Sequence, residues 1–125
     1  MTDNSLKIIA DAMEEMSINY SLAEWKGKLV YPYFVGEYQE APILNEDGMQ
    51  ETTFILTGFS RTTWGELEEV KKKIKQYFNP IGGKIVEDLG DVTAIFYENS
   101  MIIPNQDAEL KKIQINLTVK EWSVI

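Results

Sequence analysis

Histidine and cysteine, the two side chains that carry much of protein chemistry near neutral pH, are absent from all 125 residues. Their absence removes the commonest general base, the commonest zinc ligand, and the Ser-His and Cys-His nucleophile pairs. Carboxylate chemistry is what remains. Glu87, Asp88 and Asp91 surround Leu89-Gly90, and Glu98 follows; such a group could serve a hydrolase or hold a hard cation. The run lacks the alternating oxygen ligands and closing glutamate of a calcium loop, so an acidic turn is the better reading. Gly82-Gly83-Lys84 lacks the spaced glycines and Lys-Ser/Thr of a phosphate loop and reads as a turn. Lys71-Lys72-Lys73 could touch nucleic acid, but Glu66, Glu68 and Glu69 lie one turn away and make this a solvated helix face. No catalytic residue, metal or cofactor is expected, and the chain is not expected to be an enzyme.

The elements that position these residues belong to one domain, 1–125, long enough to bury a core without disulfides. A hydrophobic fraction of 44% and a charged fraction of 26% are those of a soluble globular protein. No apolar run approaches the ~20 residues of a membrane span. Lack of cysteine makes the cytoplasm the default compartment. The net charge of −8 is uneven: residues 1–60 hold three Lys/Arg against ten Asp/Glu, and residues 61–125 nine against ten. Such a chain suits neither nucleic acid nor an anionic membrane. Its acidity serves solubility or contact with a basic partner.

Leu6, Ile9, Met13 and Met16 predict an amphipathic helix over 5–18, with Asp3, Asn4 or Ser5 as its cap. No pattern is readable from Tyr20 to Val30. A hairpin follows, with strands at 29–38 and 49–60 joined by an acidic loop that ends in Asp47-Gly48. Pro32 places the start of the first strand at an edge or before regular pairing. The second strand feeds a helix over 63–78, with Thr63 and Glu66 as a capping box, i,i+4 pairs Glu68/Lys72 and Glu69/Lys73, and a buried stripe of Leu67, Val70, Ile74, Tyr77 and Phe78. Strands within 84–120 close the chain. Ile113, Ile115, Leu117 and Val119 alternate with Lys112, Gln114, Asn116, Thr118 and Lys120, so one face is covered and the other meets water or a partner. The fold class is α+β: an antiparallel or mixed sheet of four to six strands with two helices on one face.

The order of these elements carries a resemblance. Tyr31-Pro32-Tyr33-Phe34-Val35-Gly36-Glu37-Tyr38, the turn Glu46-Asp47-Gly48-Met49, and the strand-to-helix unit Phe54 to Phe78 cover about half the chain. Together they resemble the tail completion or tail terminator (minor tail) proteins of long-tailed bacteriophages and prophages. The resemblance implies a virion tail subunit, assembled in the host cytoplasm. It would form a ring, commonly hexameric, that stops tube growth and meets tail-tube and head-connector proteins. It implies no enzymatic activity and no cofactor. The segments after Pro80 lie outside the resemblance. The expected contact residues are Glu40, Glu46, Asp47 and Gly48 of the acidic loop, with Lys112, Gln114, Asn116 and Trp122 of the last strand. Trp64 reads as packing over the strand–helix junction or as a partner anchor, and Val124-Ile125 as an apolar end that docks. The alternative is a small acidic protein-binding module of regulatory or immunity type that forms no ring.

Overall fold

The computed structural model describes residues 1–41 and 48–123; Val124 and Ile125, and most of the acidic loop, lie outside these. The first helix, α1, spans Asp3–Glu15. Its cap is Thr2 rather than any of the three expected residues: the Thr2 hydroxyl accepts the Ser5 amide at 3.1 Å, and Ser5 itself is buried in the first turn. The helix stops short of Ile18 because Ser17 takes φ 58, outside helical geometry. The Ser17 and Ile18 amides then fold back onto the carbonyls of Glu14 and Met13, satisfying two of the last free acceptors.

The unreadable stretch contains a short strand, β1 (Tyr20–Leu22), parallel to β2 (Tyr33–Glu40). The expected strand start at Leu29 is corrected. Pro32, at a cis Tyr31–Pro32 bond, has no N–H to donate, and the ladder begins only after it. From Tyr33 opposite Phe59 to Glu40 opposite Thr52, β2 pairs antiparallel with β3 (Gln50–Ser60) as the expected hairpin.

The second helix, α2, spans Trp64–Tyr77. Thr63 caps it, its hydroxyl accepting the Glu66 amide at 3.2 Å. The reciprocal arm of the capping box is replaced: the Glu66 carboxylate takes the hydroxyls of Ser60 and Thr62, both at 2.6 Å, and so pins the strand–helix junction. The two ion pairs also differ from expectation. They run i,i+3, Glu68–Lys71 at 2.6 Å and Glu69–Lys72 at 3.7 Å, a spacing that lies on the same helix face. Leu67, Val70, Ile74 and Phe78 are buried as expected. Tyr77 is half-buried, and its hydroxyl donates to Glu15 at 2.9 Å, joining the two helices.

Three strands follow: β4 (Lys84–Asp88), β5 (Asp91–Ile103) and β6 (Lys111–Trp122). The acidic turn is borne out. Leu89 and Gly90, at φ 51 and 91, form a two-residue hairpin tip with Asp88 opposite Asp91. Ser100 to Ile103 continue β5 past an irregularity at Tyr97/Asn99. The six strands form one curled mixed sheet in the order β1-β2-β3-β6-β5-β4. The core lies between its inner face and the helices. Ile113, Ile115, Leu117 and Val119 of β6 are almost fully buried there with Phe34, Phe54, Leu56 and Ile95, against Ile9, Met13, Leu67 and Ile74.

Gly36 and Gly58 sit on this inner face because aromatic rings occupy the space of a side chain. A Cβ at Gly36 would lie 2.6 Å from the Phe54 ring, and one at Gly58 would overlap the Phe34 ring. Gly58→Ala should therefore lower stability by about 1–3 kcal/mol. Urea unfolding with an unchanged midpoint would show instead that Phe34 can move aside without cost.

Candidate functional site

Strand alternation sorts the expected contact residues onto two faces. Lys112, Gln114, Asn116 and Trp122 lie on the outer face of β6, opposite the helices, and are half-buried by neighbouring strands. Lys112 Nζ stands 5.3 Å from the Phe59 ring centroid. Gln114 donates to Asn116, which donates to Asn99 of β5 at 2.7 Å. Glu40 is opposite Thr52, a buried inner-face residue, so it sits on the helix side and contacts the N-terminal ammonium. Gly48 is described, at φ 73 with open space around it. Glu46 and Asp47 lie outside the described residues. The acidic loop and the outer face of β6 therefore do not form one described surface.

Of the carboxylates Glu87, Asp88, Asp91 and Glu98, Asp88 and Asp91 face each other across the turn, but Glu98 stands apart. Glu98 is seven residues from Asp91 along β5, which at strand rise is roughly 23 Å. It accepts the Thr118 hydroxyl at 3.1 Å instead. Among the described residues, no group of three or more Asp or Glu could hold a metal ion. The amides of Ile81, Gly82 and Gly83 all donate to Asn79, so this turn has no row of free N–H groups to cradle a phosphate. Among the described residues, no helix is long and apolar enough to cross a membrane.

Two features escape the sequence reading. The first is an aromatic cluster on the outer face of β2 and β3. Tyr33 stacks on Phe59 at 4.8 Å and meets Trp25 at 4.9 Å and Tyr31 at 5.4 Å. Trp25 comes from the loop after β1. Four bonds among the described residues hold that loop: Ala23 N–H to the Gly36 carbonyl at 2.7 Å, Glu24 N–H to the Leu22 carbonyl at 2.8 Å, the Ser21 hydroxyl to the Glu24 carbonyl at 2.6 Å, and the Trp25 indole N–H to the Lys28 carbonyl at 3.1 Å. Between loop and sheet runs a cleft of about 280 Å³, walled by Trp25, Tyr33, Val35, Thr57 and Phe59 with Glu24 and Glu37 at its margin. Burial, then the neighbouring Tyr31, push the Tyr33 phenol up, against a smaller opposing pull from Arg61. The alternation of Tyr31 and Tyr33 with Pro32 was the available signal for this cluster.

The second feature is a buried carboxylate. Continuing the apolar alternation of β6 by two residues reaches Glu121, 6% exposed on the inner face. Its Oε2 accepts the Ser5 hydroxyl at 2.6 Å, the Thr2 hydroxyl at 2.8 Å and the Thr2 amide at 3.0 Å. Ser5 in turn meets the Thr93 hydroxyl at 2.9 Å. The cap of α1 thus binds an anion on β6, and Ser5 ties both to Thr93 of β5. Oε1 has no hydrogen-bond partner among the described residues and lies 3.9 Å from the N-terminal ammonium. Burial raises the Glu121 pKa, but the bonds from Ser5 and Thr2 and the nearby ammonium outweigh it and hold the carboxyl below its ordinary value.

A carboxyl with a depressed folded-state pKa adds stability that is present above the ordinary value near 4.5 and is lost as pH falls through the lower folded value. Glu121→Gln should lower neutral-pH stability by about 1–3 kcal/mol and flatten the acid limb of the stability curve below pH ~4.5. Urea midpoints for both proteins between pH 3 and 7 check this; parallel curves would remove Glu121 from the acid response. No protein-family model matches the chain, and no curated protein matches it.

Proposed function

We propose that this chain is a structural subunit of a phage or prophage tail, a tail terminator or completion protein, that works by closing into a ring through protein contacts. The observation that supports self-association is the sheet's two unlike open edges, β1 and β4, which pair outward with no strand among the described residues. A ring needs a heterologous interface, in which two different patches meet and the rotation closes. An exposed edge strand offers a row of free N–H and C=O groups for such a contact.

The two edges differ as partners must. Beside β4, Ile81, Ile85 and Leu89 are 93%, 63% and 99% exposed, and Glu87, Asp88 and Asp91 make that end acidic. Beside β1, Leu22, Leu29 and Val30 are exposed, and Lys26 and Lys28 are two of the three cations among residues 1–60. Apolar groups of both edges would be buried, and opposite charges would set the register. In this reading the chain is not an enzyme, needs no cofactor, and acts in the virion against tail-tube and head-connector proteins.

The runner-up is an acidic binding module without a ring. The Trp25 cleft favours it, being a formed site on a single subunit.

Sedimentation across a concentration series, with negative-stain images, separates the two. The wild type should form a closed oligomer. Lys26→Glu with Lys28→Glu, or Glu87→Lys with Asp88→Lys, should each raise the assembly concentration about tenfold, a loss of about 1.4 kcal/mol per contact. Combining all four should restore assembly. A strict monomer, alone and with tail-tube or connector proteins, would sink the ring.

A further inference from the structure

We infer that the cleft between the Trp25 loop and the outer sheet face is a binding site for a basic side chain, an arginine, presented by a protein partner. The inference rests on the reading that this chain works by protein contact. It does not depend on whether the chain forms a ring.

The outer face already uses cations against aromatic rings. Arg61 lies 5.8 Å from the Tyr31 centroid, Lys112 lies 5.3 Å from Phe59, and Lys120 lies 5.8 Å from Phe96. Trp25 and Tyr33 have no such cation among the described residues, although Trp offers the strongest ring face for one. Glu24 and Glu37 at the margin of the cleft are exposed and have no ion-pair partner among the described residues. The lining of the cleft holds these two carboxylates and no Lys or Arg, Lys26 and Lys28 lying beyond Trp25 in the loop and outside the lining.

Charge complementarity therefore selects a cation, and the walls select its shape. A cleft of about 280 Å³ takes one long side chain. Val35 and Phe59 suit an apolar stem, the Trp25–Tyr33 pair suits a flat delocalised head, and two carboxylates can accept its outward N–H groups. A planar guanidinium meets all three conditions, whereas an ammonium is a compact point charge. The loop bonds at Ala23, Ser21 and Trp25 build the wall before a ligand arrives, so little ordering is needed on binding.

The test is titration of the full chain with N-acetyl-arginine amide, read by NMR at the three tryptophan indole N–H signals. The Trp25 signal should move saturably while those of Trp64 and Trp122 stay in place. The neutral isostere N-acetyl-citrulline amide should bind at least tenfold more weakly. Glu24→Gln with Glu37→Gln, which changes only exposed side chains, should weaken arginine binding about tenfold. Equal binding of citrulline, an unmoved Trp25 signal at tens of millimolar arginine amide, or wild-type affinity in the double variant would each overturn the site. Oligomer formation by a protein whose cleft fails this test would leave the contact-protein reading standing, so the two failures are distinguishable.

Discussion

Everything in this molecule depends on the last strand entering the middle of the sheet. β6 pairs with β3 from Lys111 to Glu121 on one side and with β5 from Lys112 to Trp122 on the other. It therefore joins the hairpin of the first half to the hairpin of the second. Its inner residues, Ile113 to Val119, form the floor on which both helices rest. Pairing so far apart in sequence carries a loop-closure cost that local hydrogen bonds alone do not offset. The apolar stripe supplies the difference, and it also fixes the register, since a slip of one residue would turn every isoleucine outward.

That central position explains the division of labour across the sheet. The inner face holds the core, with glycines at 36 and 58 where Phe54 and Phe34 must lie flat against the backbone. At its end stands Glu121, an anion tolerated because Ser5 and Thr2 donate to it and the helix cap depends on the same residues. The outer face carries no helix among the described residues; aromatic rings there meet Arg61, Lys112 and Lys120, and Gln114, Asn116 and Asn99 bond one another. The proposed contacts fall at the edges and in the cleft, where side chains and backbone groups retain unused capacity.

The expectations that failed did so for local reasons. Ser5 looked like a cap by type, but it lies buried in the first turn with its hydroxyl on Glu121, and Thr2 caps the helix. Glu66 looked like half of a capping box, but two hydroxyls across the junction compete better for its carboxylate.

The sequence by itself determined the hairpin, the capped second helix, the buried stripe of β6 and the acidic two-residue turn. Each of these is written in local periodicity, turn chemistry or a breaker such as Pro80. It also reached Glu121, had the alternation been followed two residues further. Only the tertiary structure decided the strand order, the parallel β1, the sharing of Glu121 between helix and sheet, and the meeting of Trp25 with Tyr33 and Phe59. Those depend on which strands become neighbours, a choice set by the total apolar surface buried. No window of adjacent residues contains it.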